Sequence, residues 1–92
     1  MNKGFNLNPS NIDYYLQLAY CNYNINNFDK ALELGNKVLE YNSKEYKAFY
    51  ILGLIYKKMQ LIDKAIECFQ AAIKIHPEYK DALNELNKLT NF

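Results

Sequence analysis

The 92 residues include eleven lysines, ten acids and no arginine, a formal charge of +1, and this balance excludes the basic footprint of a nucleic-acid binder. Half of them are apolar or aromatic and 23% are charged, which predicts one small folded domain and not a disordered chain. The longest apolar run, 48–56, is too short to cross a bilayer, and the opening Met1-Asn2-Lys3-Gly4-Phe5-Asn6 has no apolar core of a leader, so the expectation is a cytoplasmic protein with no membrane contact.

An arm, 1–11, comes first and carries Phe5 and Leu7. Asn8-Pro9-Ser10-Asn11 then supplies an N-cap for a first helix. Asn26-Asn27 breaks that helix from a second, since asparagine tolerates left-handed backbone. Ser43 is expected to cap a third helix, in which Phe49, Leu52, Gly53 and Tyr56 recur at 3-4 spacing. A break at Met59-Gln60-Leu61 leads to a fourth helix with Ala65, Phe69, Ala72 and Ile73 on one face. Pro77 stops it and can open a fifth. That last helix, 78–89, sets Ala82, Leu83, Leu86 and Leu89 against a polar remainder, the pattern of a terminal cap and of a natural end at Phe92. Gly35 falls inside the second helix, either to admit a neighbouring aromatic ring or through drift.

The helices come in register. A shift of 34 positions lays Asp29-Lys30-Ala31 on Asp63-Lys64-Ala65, Glu33 on Glu67, Leu18 on Leu52 and Tyr15 on Phe49. The units are 12–45 and 46–79, followed by a partial third, 80–92. Phe49-x-x-Leu52-Gly53-x-x-Tyr56, with Ala65, Phe69, Ala72 and Pro77, resembles the tetratricopeptide repeat. The first unit matches at Tyr15, Leu18, Ala19, Phe28, Ala31 and Val38. It departs at Asn22, Gly35 and Ser43, where the second has Tyr56, Phe69 and Pro77. The resemblance implies an all-α, right-handed α-α superhelix of two helix pairs plus a C-terminal capping helix, five helices in all.

Catalytic chemistry finds no constellation. His76 is the lone histidine, and no acid or nucleophile stands beside it in a motif. The three glycines are scattered, so no phosphate-cradling loop exists. Cys21 and Cys68 form no Cys-x-x-Cys unit and read as free thiols, and a zinc site needs about four ligands. The expectation is a non-enzyme with no metal and no cofactor.

The resemblance implies recognition instead: the first helix of each repeat lines a concave groove for a peptide or a partner helix. The matching positions are Asp13, Leu16, Tyr20 and Tyr23 on the first helix. On the third they are Lys47, Tyr50, Leu54, Lys57 and Lys58, and on the last Asp81, Asn84 and Lys88. Tyrosine suits such a surface, giving large area with a polar tip. A tyrosine stripe at helical spacing is equally a core pattern, and Lys57 with Lys58 is either a solvated helix end or a means of steering an acidic peptide. The family's lysine–asparagine–arginine clamp for chaperone tails maps to Leu16, Tyr20, Ile51, Asp81 and Glu85, none of which matches. A chaperone-tail carboxylate is therefore not the expected ligand. The readings left are an adaptor or scaffold with an open groove and a self-associating homodimer that buries the tyrosine-rich groove in its own interface, the open edge of the first repeat being covered by the arm or reached by a second copy.

Overall fold

The computed structural model describes residues 9–90, so Phe5, Leu7, the cap position Asn8 and the end at Phe92 lie outside the described residues. Five helices follow one another: α1 (Pro9–Asn24), α2 (Phe28–Tyr41), α3 (Tyr46–Lys58), α4 (Ile62–Ile75) and α5 (Lys80–Thr90), with no strand among the described residues. They form an α-α superhelix in which α1 pairs with α2, α3 with α4, and α5 closes on α4. α1 starts at Pro9, inside the stretch expected as arm; proline fits a first helical turn, where its missing N–H has no partner to lose.

The 34-residue period is clearest in the turns. Asn26 (φ 65°) and Gln60 (φ 67°) both adopt left-handed backbone. Each is followed by the same pair of closing bonds. The N–H groups of Asn26 and Asn27 donate to the Tyr23 and Asn22 carbonyls, and those of Gln60 and Leu61 to the Lys57 and Tyr56 carbonyls, at 2.8–3.1 Å. This is the six-to-one and five-to-two closure that satisfies orphan carbonyls at a helix end. The first turn adds a polar brace: Asn27 Nδ2 donates to Asn22 Oδ1 at 3.0 Å, and Asn22 Nδ2 to the Leu18 carbonyl at 2.8 Å. That brace gives Asn22 a task at the position where the second unit has Tyr56.

The turns between units also match. The N–H of Glu45 donates to the Asn42 carbonyl at 3.2 Å, and that of Tyr79 to the His76 carbonyl at 3.0 Å. Ser43 and Pro77 hold the second place of these four-residue turns, which corrects two expectations. Ser43 does not cap α3: the cap residue is Glu45, with no side-chain capping bond. Pro77 does not open α5, which begins three residues later at Lys80, not at 78. Pro77 does bear on the end of α4, because a residue before proline is driven out of helical geometry, and His76 lies at φ −133°, ψ 85°.

Burial follows the helical stripe. α2 buries Ala31, Leu34, Gly35 and Val38, and α4 buries Ala65, Phe69 and Ala72. One cluster joins α1, α2 and α3 around Leu34, Val38 and Ile55; a second joins α3, α4 and α5 around Phe69 and Ala82. The ring expected beside Gly35 is not there. Its close neighbour is Leu52, whose Cδ2 would stand 2.9 Å from an added Cβ. Gly53 is the glycine that admits a ring, since a Cβ there would meet three Phe69 ring atoms at 2.6–2.8 Å.

Gly53→Ala should therefore lower stability by about 1–3 kcal/mol through overpacking, against a helix-propensity gain of roughly 1 kcal/mol. Gly35→Ala, which presses mainly on the tip of a flexible leucine, should cost visibly less. Urea unfolding midpoints of the two variants measure the difference.

Candidate functional site

α1 and α3 run side by side on one face of the stack, and the turn between α4 and α5 closes one end. Between them lies an open cleft of about 580 Å³. Asp13, Leu16, Gln17, Tyr20 and Cys21 line it from α1, Lys47, Tyr50 and Ile51 from α3, and Tyr79 from the turn. Four residues separate Asp13 from Gln17 and Gln17 from Cys21, so one helical face presents all three. Leu16 and Ile51 are buried and floor the cleft, while Tyr20 stands 46% exposed.

The rings form a connected group. Tyr50 meets Tyr79 edge-on at 5.3 Å and Phe69 at 5.9 Å between centroids. Tyr79 in turn meets Tyr46 at 4.9 Å, and Tyr46 stacks on His76 at 4.5 Å. On α1, Tyr20 and Tyr23 lie 5.6 Å apart. Partial burial, reinforced by Asp81 and Glu85, pushes the Tyr50 phenol up to about 12. Burial and then Asp81 also raise Tyr79. These hydroxyls stay protonated through the physiological range and remain available as donors.

The face expected from sequence divides into four. Asp13, Leu16, Tyr20, Lys47 and Tyr50 line the cleft. Leu54, 7% exposed, belongs to the second core cluster and does not line the cleft; Leu16, at 5%, is floor and not rim. Tyr23, Lys57 and Lys58 are engaged within the protein: Lys57 Nζ donates to Glu85 Oε1 at 2.6 Å, and Lys58 Nζ sits 4.7 Å over the Tyr23 ring. Asp81, Asn84 and Lys88 are exposed on α5 and line no part of the cleft. Sequence reasoning missed Gln17, Cys21, Ile51 and Tyr79 as lining. Tyr79 sits in a turn, where helical periodicity gives no signal. Among the described residues no three His, Cys, Asp or Glu side chains group as metal ligands, and no helix is long and apolar enough to cross a membrane.

The family model for the tetratricopeptide repeat matches residues 46–79, the unit that holds Gly53 against Phe69. A crystal structure of MamA superposes with a TM-score of 0.78 at 28% identity over 85% of this chain and 46% of that one. Residues 46–79 are a tetratricopeptide repeat, set in a helical stack that shares the fold of MamA. A tetratricopeptide repeat implies a protein–protein interaction module, on a fold that is generally non-catalytic. Among curated relatives, Protein bimA of Emericella nidulans is 40% identical over 50 residues, which are 54% of this chain and 6% of that protein. The E3 SUMO-protein ligase RanBP2 of Homo sapiens is 27% identical over 76 residues, 83% of this chain and 2% of that protein. The chain thus spans a small part of these relatives' length.

Both thiols are free, in different settings: Cys21 is exposed at the cleft, whereas burial, and then Glu67, pushes the Cys68 thiol up to about 11. At pH 8 a thiol-reactive disulfide should modify Cys21 promptly and Cys68 about a hundredfold more slowly than an unperturbed thiol. Peptide mass mapping of the native and urea-unfolded protein distinguishes the two sites.

Proposed function

We propose that this chain is a non-catalytic adaptor that takes a peptide or a partner helix into the cleft between α1 and α3. The observation that carries the reading is the convergence of Tyr20, Tyr50 and Tyr79 on an open cleft floored by Leu16 and Ile51. An apolar floor with a few donor hydroxyls is the make-up of a ligand site, and about 580 Å³ is in the range of one. Tyrosine gives contact area at small entropic cost. The clamp positions support the exclusion of chaperone tails, since Ile51 is cleft floor and Glu85 is bound to Lys57. Two free thiols fit a reducing, cytoplasmic setting.

The cleaner test residue is Tyr20 and not Tyr50, because Tyr50 is half-buried against Phe69 and its loss would disturb the core. Immobilised Tyr20→Ala should lose the proteins that the unmodified chain retains from a cell extract, with its helical circular dichroism unchanged. Retention equal to that of the parent chain would overturn the reading.

One observation favours a second reading, a homodimer through the outer face of α1. Tyr14 is 61% exposed there, whereas its counterpart 34 positions on, Ala48, is fully buried against the first unit. Sedimentation equilibrium over a wide concentration range should give a single monomer mass if the cleft reading alone holds. A dimer mass that Tyr14→Ala abolishes would establish the second.

A further inference from the structure

We propose that two copies of this chain pair antiparallel through the outer face of α1, with the two-fold axis between Leu18 and Cys21, and that the pair keeps both clefts open. The inference rests on the homodimer reading above and adds its register, the partner being a second copy of this chain.

Tyr14, Leu18, Cys21 and Ile25 recur at i, i+4, i+7 and i+11 and form one stripe on α1. Tyr14 and Ile25 are 61% and 72% exposed, and Cys21 is exposed with them. The 34-residue period puts Ala48, Leu52, Ile55 and Met59 at the same places on α3, and Ala82, Leu86 and Leu89 on α5. There the stripe is packed on the unit before it. A further helix pair does not fit α1 in that way. Both junctions inside the chain have a fully buried alanine, Ala48 or Ala82, where α1 has Tyr14, and the side chains at a contact set how closely helices approach. The far end of the stack does not match the stripe either, since α5 presents exposed Asn87 and Thr90 where α3 has Gly53 and Tyr56.

The stripe does match itself. α1 holds one charged residue in sixteen, Asp13, which lies off the stripe, so a two-fold axis brings no like charges together. The four residues are spaced symmetrically about their midpoint. Antiparallel pairing therefore seats Tyr14 on the partner's Ile25 and Leu18 on the partner's Cys21, and it sets the two helix dipoles in opposition. Asp13, Gln17 and Tyr20, which line the cleft, point about a third of a turn away from the stripe, so the contact leaves both clefts open. Four side chains per copy hold the interface below about 1,200 Å² in total, the weak and concentration-dependent class.

Sedimentation equilibrium should show a dimer growing in between micromolar and millimolar concentration. Tyr14→Lys should remove it and Tyr20→Ala should leave it, both with helical circular dichroism unchanged. For the register, Cys21→Ala is combined with Tyr14→Cys in one preparation and with Ile25→Cys in another, and a short bis-maleimide is added, with peptide mass mapping to locate the links. Antiparallel pairing sets like positions roughly 16 Å apart along the axis. Neither preparation should therefore cross-link at the new thiol by itself, and their mixture should. A dimer that links within one preparation, fails to link in the mixture, or dissolves with Tyr20→Ala would overturn this proposal and leave a homodimer of another geometry. A dimer indifferent to Tyr14→Lys, or a monomer at every concentration, overturns both readings; slow maleimide labelling of Tyr14→Cys in that monomer would assign the stripe to residues 1–8.

Discussion

α3 buries Ile51, Leu52, Gly53, Leu54 and Ile55 in an unbroken run, which takes in every side of a helix whose turn is 3.6 residues. Such a helix cannot face water on any broad side and has to be surrounded. α1 and α2 do so from one unit, and α4 from the other. Both core clusters end on it, one at Ile51, Leu52 and Ile55, the other at Leu54. In a solenoid each unit packs only on its neighbours, and here α3 is where the neighbours meet. The cleft exists for the same reason: Lys47 and Tyr50, with the edge of Ile51, occupy the narrow arc of α3 that no helix covers.

The two units solve one packing problem with different side chains. In the second, a glycine on α3 lets Phe69 come in flat, and that ring is fully buried. In the first, the positions equivalent to Gly53 and Phe69 are Ala19 and Gly35, and the room left by the missing ring is taken by Leu52 of the following helix. The first unit therefore depends on the second for part of its filling. Asn22 shows the same divergence in polar form, with a two-bond amide brace in place of an aromatic body.

Repetition made the fold legible. A 34-residue period, two stripes per unit and turn residues at matching offsets were enough for five helices and their pairing. Details that depend on a single side chain's surroundings were not. Ser43 has the chemistry of a cap, but position in the turn decides capping, and Glu45 holds the position. Gln60 carries no left-handed preference, and its positive φ is imposed by the same closure that suits Asn26. Leu54 shares a helical face with Tyr50 on paper, yet α4 and α5 cover it. Lys57 and Lys58 read as free cations because their partners, Glu85 and the Tyr23 ring, are distant in sequence.

The placing of Phe69 against Gly53 has a consequence for how the chain assembles. Both residues lie in one helix pair, close in sequence, so their contact closes with a short loop. The Tyr46–His76 stack joins the two ends of the same pair. The α3–α4 hairpin is thus the natural nucleus, with α1–α2 and α5 condensing on either side of it. Amide protons of α3 and α4 would then be the last to exchange with solvent, and the outer helices would open first.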